Sequence, residues 1–183
     1  AYTVSDLTSD DWSQVTTEAA LQTAITDGSY FAIVSGRGTD LMLKSMSYGN
    51  NNMLLYQSVE DPLKDPGYAW IIEYSDSKYY LKNLNSEQYY FGYESGKPWS
   101  YIANASHTST SSAICNLTVT VSEGKYTLAT AAGGTETYIG PWDENAFNKG
   151  RRCAGNKPLS NADNFLIYAI SKSSYAAKQQ AII

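Results

Sequence analysis

A chain of 183 residues is long enough for one substantial hydrophobic core, and 13% aromatic against only 17% charged residues sets it far from the charge-rich, aromatic-poor mixture of a disordered chain. Its formal net charge of −5, with no run of like charges longer than two, lacks the basic stripe that phosphate contacts demand, so nucleic acid is not an expected partner. No stretch approaches the roughly eighteen consecutive apolar residues of a membrane-spanning helix, so none is expected.

Along the chain, the first segment differs from the rest. The run from Thr17 places Ala20, Leu21, Ala24 and Ile25 on one face at helical spacing. Thr16 or Thr17 serves as N-cap and Asp27-Gly28 as the stop. A helix of two to three turns is marginal alone, so it is expected to lie against the main domain through Leu21 and Ile25, with Trp12 and Val15 as further anchors. The chain opens at Ala1 rather than Met, which is compatible with removal of a targeting segment.

After Gly28 the pattern changes to short β-like runs that recur. Three segments open alike, at Tyr30, Tyr79 and Tyr126, with offsets of 49 and 47 residues. A second run follows each opener, from Leu41, Tyr89 and Thr137, and a third from Met53, Trp99 and Arg151. Each unit ends in a longer strand in which Trp70, Leu117 and Phe165 hold matching places, and the residue two further on is Ile72, Val119 and Ile167. That alternation puts both residues of each pair on one sheet face. A single four-stranded unit would have open edges and one apolar face. Three units can close a six-stranded barrel with their first and last strands while their middle hairpins cap one end; a β-sandwich or an irregular barrel with fortuitous spacing is the alternative. Trp70, Leu117 and Phe165 are then expected near a pseudo-threefold axis, supported by Tyr30, Tyr79 and Tyr126.

This recurrence, and the hairpin-like stretch Lys78–Gly92 (KYYLKNLNSEQYYFG), resembles the β-trefoil superfamily, which includes ricin-type lectins, fascin-like modules and Kunitz-type soybean inhibitors. The resemblance implies an all-β trefoil over 28–171, in units of about 28–75, 76–122 and 123–171. An extension 1–27 with a short helix precedes it, and a tail or short helix 172–183 follows. The general character also resembles secreted or surface bacterial proteins, so a secreted or cell-surface location is the expectation. Ricin-type lectins carry a Gln-x-Trp triplet near each unit's end. The matching triplets here begin at Tyr68, Cys115 and Asp163, and only Trp70 is kept, so the family's galactose specificity does not carry over. A Kunitz-type reading would need an exposed protease-facing loop, for which the stretch around Lys157 is the candidate.

Catalytic constellations are sparse. The single histidine, His107, is expected in a solvent-facing loop, and no phosphate loop, nucleophile elbow or dinucleotide fingerprint occurs. The carboxylates, Asp163 among them, fall mostly in turn-like contexts where they are expected on structural grounds. No catalytic residue, cofactor or metal site is expected, and Cys115 and Cys153 either pair or stay as core thiols.

Sugar recognition needs an aromatic plate for the apolar face of a pyranose and carboxylate or amide groups for its hydroxyls. Trp142, Asp143, Asn145 and Asn148 supply both in one loop. Tyr48 and Asn51 in the first unit, and Trp99 in the second, occupy equivalent tips. The expectation is a non-catalytic extracellular binding module whose partner is a glycan. The alternative is a structural or protein-interaction module of a surface assembly, whose partner is a surface protein.

Overall fold

Three aromatic–apolar pairings close the molecule on itself. The computed structural model describes residues 1–48, 51–94, 102–103, 107–110, 113–130, 136–143 and 152–182, with side chains described at all of these but Tyr48, Asn51, Ile102 and Ala103. Twelve strands lie among them: β1 (Ser13–Val15), β2 (Tyr30–Val34), β3 (Leu41–Tyr48), β4 (Asn51–Ser58), β5 (Trp70–Ser75), β6 (Lys78–Asn83), β7 (Ile102–Ala103), β8 (Leu117–Ser122), β9 (Lys125–Thr130), β10 (Thr137–Pro141), β11 (Cys153–Lys157) and β12 (Leu166–Ile170). Helices α1 (Val4–Ser9), α2 (Glu18–Thr26) and α3 (Lys172–Ile182) flank them.

Phe31 pairs with Trp70, Tyr79 with Leu117, and Tyr126 with Phe165. The last pair exchanges backbone hydrogen bonds of 2.8 and 2.7 Å. Hairpins β5–β6 and β8–β9 and the β12–β2 ladder complete the circuit β2-β5-β6-β8-β9-β12, so no barrel strand is left with an open edge. All six paired side chains belong to one buried core, together with Ile33, Ile72, Leu128 and Ile167. The fold is a β-trefoil.

The register corrects one expectation. The first unit's inward aromatic is Phe31, not Tyr30. Tyr30 sits opposite Ile170 and points outward, where its ring meets Tyr175 edge-on at 5.1 Å. Two adjacent aromatics look equivalent in sequence, but a strand sends them to opposite faces. A second difference lies in the middle unit, where the run from Tyr89 forms no strand beyond a single bridge residue at Gly92. Its backbone donors diverge: Tyr90 N–H bonds His107 O, Phe91 N–H bonds Leu81 O and Tyr93 N–H bonds Ile114 O. No one partner strand receives them, so no ladder forms.

The two hairpins inside the barrel turn on Asp76-Ser77 and Glu123-Gly124, where all four residues have positive φ. That geometry matches the right-handed twist of the strands it joins. Gly28, also at positive φ, marks the corresponding start of the first unit.

Opposite the hairpin caps, the N-terminal segment closes the barrel. Thr17 caps α2 by accepting from Ala20 N–H at 3.1 Å, and Leu21 enters the barrel core beside Val15. The hydroxyl of Tyr79 donates to Glu18 Oε2 at 2.7 Å and accepts from Gln22 Nε2 at 3.0 Å. That of Tyr126 donates to Val15 O at 2.8 Å and approaches Thr17 O at 3.1 Å. Two of the three opening aromatics therefore hold this plug by their hydroxyls, and Phe31 has none to give.

Two elements were not expected from sequence: helix α1, and strand β1, which pairs with the outer side of β12. A second core of Leu7, Trp12, Val34, Met42, Tyr168 and Tyr175 packs outside the barrel. It is fixed where Tyr175 Oη donates to Pro62 O at 2.7 Å.

Candidate functional site

Strand β10 ends in a buried Pro141, and the chain then presents Trp142 and Asp143 at the surface. Three contacts set the indole's position. Trp142 N–H donates to Arg152 O at 3.1 Å, and its own carbonyl accepts from Lys157 Nζ at 2.7 Å. The Arg152 guanidinium lies over the ring, 4.8 Å from its centroid, a cation–π contact. Trp142 nonetheless remains 40% exposed, whereas Trp12 and Trp70 are buried. A slip in the β10–β11 register between Tyr138 and Gly140 turns the end of β10 toward this position.

Asp143 is exposed beside Trp142. Asn145, Asn148 and Trp99 lie outside the described residues. Tyr48 and Asn51 form the closing pair of the β3–β4 hairpin, and their side chains lie outside the described set. That hairpin and Trp142 share one end of the molecule, because Arg152 pairs with Leu55 in the middle of β4. Leu55 lies four positions along β4 from Asn51, about 13 Å of strand, so the two tips are neighbours rather than parts of one small pocket. Lys157, the residue of the protease-loop reading, is engaged with the Trp142 carbonyl.

Two titratable residues are buried, one of them against its sequence-based expectation. His107 is 0% exposed rather than solvent-facing. Its Nδ1 donates to Tyr90 O at 3.1 Å, and Nε2 faces Glu94 Oε2 at 3.6 Å. Gly92 makes the space: a Cβ there would stand 3.1 Å from the imidazole. Asp163, which the sequence left without a specific role, is also 0% exposed. Its Oδ2 accepts from Ser35 Oγ at 2.6 Å and Tyr56 Oη at 2.9 Å. Its Oδ1 accepts from the backbone N–H groups of Gly36 and Arg37 at 3.2 Å and of Asn164 at 2.7 Å.

Burial pushes the Tyr56 phenol well above its usual range, with the nearby Cys153 and Asp163 adding to it. Burial, then Asp163, likewise raises the Cys153 thiol. Both groups stay protonated at neutral pH, and both cysteines are buried thiols rather than halves of a disulfide. A carboxylate with five donors and no access to solvent holds chain segments together. Here it ties the turn after β2 to the start of β12. The signal that could have found it is position: Asp163 lies two residues before Phe165, at the place of Tyr68 and Cys115 in the other units, both buried.

No family model matches the sequence, and no curated protein does either. Solved structures do match. A GlcNAcα1-4Gal-releasing endo-β-galactosidase from Clostridium perfringens superposes with a TM-score of 0.59 at 12% identity, over 78% of this chain and 32% of that one. A mosquitocidal holotoxin gives 0.61 at 14% identity, over 76% and 17%. A Polyporus squamosus lectin, bound to a Neu5Acα2-6Galβ1-4GlcNAc epitope, gives 0.54 at 15% identity, over 76% and 48%. The chain spans less than half the length of each. At these identities the likeness is one of fold, and it agrees with the closed six-stranded circuit described above.

Proposed function

We propose that this chain is an extracellular carbohydrate-binding module that takes its ligand on the loops of the capped barrel end, with Trp142 as the stacking plate. The observation that carries the reading is the indole itself. It is exposed, yet its backbone is pinned on both sides and its ring is held by Arg152, so little entropy is lost when a sugar stacks on it. Asp143 supplies an acceptor for hydroxyls next to the plate, and Asn145, Asn148, Tyr48, Asn51 and Trp99 extend the contact over the neighbouring tips. In this reading 28–171 is the binding unit, and the segments before and after it brace its base.

The protein-interaction alternative draws less support. The exposed large apolar residues among those described, Met46, Tyr74, Trp142, Leu159 and Ile182, fall on five separate elements, an ordinary scatter. The fold neighbours include a protein named as a lectin and one named as a galactosidase, which is consistent with a glycan-handling role.

Affinity electrophoresis through gels containing soluble polysaccharides, together with a glycan array, tests the proposal. Retention of the wild type on at least one glycan is expected, with a loss of about tenfold or more in Trp142→Ala, equivalent to about 1.4 kcal/mol. Absence of binding to every glycan would remove the proposal. Binding that survives Trp142→Ala unchanged would remove the plate.

A further inference from the structure

A second exposed aromatic is also held in place by its neighbours. Tyr74, near the end of β5, is 41% exposed, as open as Trp142. Its ring centroid lies 4.7 Å from that of Tyr79, whose hydroxyl is bonded to both Glu18 and Gln22. Tyr74 lines a cleft of about 320 Å³ with Ser29, Glu73, Lys172 and the isoleucines Ile25 and Ile71. Lys172 also lines a second cleft of about 320 Å³, together with Tyr30, Asn85, Glu87 and Gln179. We infer that these two clefts, adjoining at Lys172, form a second saccharide site, for an uncharged oligosaccharide. None of their residues belongs to β10, β11 or the loop that bears Trp142, so the inference goes beyond the proposed function and stands without it.

Hydrogen-bonding capacity, charge and size select this ligand class. The side chains of Asn85, Glu87 and Gln179 make no hydrogen bond to the described residues. Each amide offers both donors and acceptors, as a sugar hydroxyl requires. The Glu73 carboxylate is held by Tyr90 Oη at 2.6 Å and Lys82 Nζ at 3.2 Å, and its remaining lone pairs are thereby set in place for further donors. Lys172 is located by two contacts. A Cβ on Gly28 would stand 3.8 Å from its Cε, and its ammonium lies 5.7 Å from the centroid of the Tyr30 ring. Charges here cancel: Lys82 offsets Glu73, and Lys172 and Glu87 line one cleft with opposite sign. No surplus remains to select an ion, and an apolar ligand would strip water from these polar groups without replacing it. Each cleft is at the small end of ligand sites, the scale of single sugar rings, and two side by side suit a short chain. Because Tyr74 is ordered before the ligand arrives, stacking on it loses little rotamer freedom.

Affinity electrophoresis separates the two sites. Gels contain laminarin, galactomannan, xyloglucan or, as a charged control, polygalacturonate. The proteins are wild type, Trp142→Ala, and Trp142→Ala combined with either Tyr74→Ala or the pair Asn85→Ala and Gln179→Ala, each checked for folding by near-UV circular dichroism. Trp142→Ala should keep reduced retention on at least one neutral polysaccharide, and each added cleft change should weaken that remainder about tenfold. If the Tyr74→Ala protein fails to fold, the pair decides, since neither of its side chains bonds to the described residues. Loss of all binding in Trp142→Ala alone overturns the second site and leaves the proposed function standing. A remainder that a folded cleft variant leaves unchanged overturns it as well, and so does a remainder confined to polygalacturonate. Binding untouched by Trp142→Ala but weakened by the cleft changes removes the indole plate and keeps this site. Absence of wild-type binding to every probe removes both.

Discussion

Replacing Asp163 by Asn tests whether one buried carboxylate holds the first and third units together. The amide oxygen can take over Oδ1 and keep the N–H groups of Gly36, Arg37 and Asn164. The amide nitrogen then stands where Oδ2 accepted from Ser35 and Tyr56. Ser35 Oγ already accepts from Arg37 N–H at 3.2 Å and Gly38 N–H at 2.7 Å, so it has no lone pair left to receive another donor. Two charge-assisted hydrogen bonds are lost, at about 1.5–3 kcal/mol each, and relief of the buried charge returns part of that. The expected net cost is about 2–4 kcal/mol. For a domain of this size that corresponds to a fall in Tm of roughly 5–15 °C. Asp163→Ala strands five donors and should cost about 4–5 kcal/mol, a large share of a total stability of about 5–15 kcal/mol. Urea unfolding followed by tyrosine fluorescence and far-UV circular dichroism gives both values, provided the two probes coincide. A cost below about 1 kcal/mol for Asp163→Asn, or an Ala variant no worse than the Asn variant, would refute the reasoning.

Gly36→Ala should destabilise by about 3 kcal/mol or more, because its Cβ would stand 1.7 Å from the Asn164 carbonyl, which is backbone and cannot swing aside; a variant with wild-type Tm would show that the turn and the β12 lead-in are not in this contact. Tyr68, Tyr126 and Tyr175 are each pushed up to about 12 from 10.0, chiefly by burial. Their unfolded phenols ionise first, so the stability they contribute is complete below pH 10.0 and is lost between there and about pH 12. Tyrosinate absorbance and circular dichroism recorded on one alkaline titration should show these phenols ionising together with loss of fold; ionisation at ordinary pH with the fold unchanged would contradict it.

Sequence alone determined the barrel. Period-2 alternation and a recurrence of about 48 residues placed Trp70, Leu117 and Phe165 on matching strands, and all three are buried in one core. Helix α2 was equally legible, because Thr17, Leu21 and Gly28 are local signals. The exposed Trp142 was also readable, as an aromatic in a polar loop between two strands.

Tertiary structure decided what depends on partners far away in the chain. Tyr30 and Phe31 differ only in which faces Trp70. Strand β1 exists because β12, some 150 residues on, pairs with it beyond the Tyr126–Phe165 bridge. His107 looked like a surface residue because its local neighbours are polar, and nothing local marked Asp163 as buried. Asp163 is buried by donors from Ser35, Gly36, Arg37 and Tyr56, and His107 by the gap at Gly92. Periodicity reports which face of an element is apolar. It carries no record of which distant donor will meet a buried acceptor, since that pairing arises only when the barrel closes.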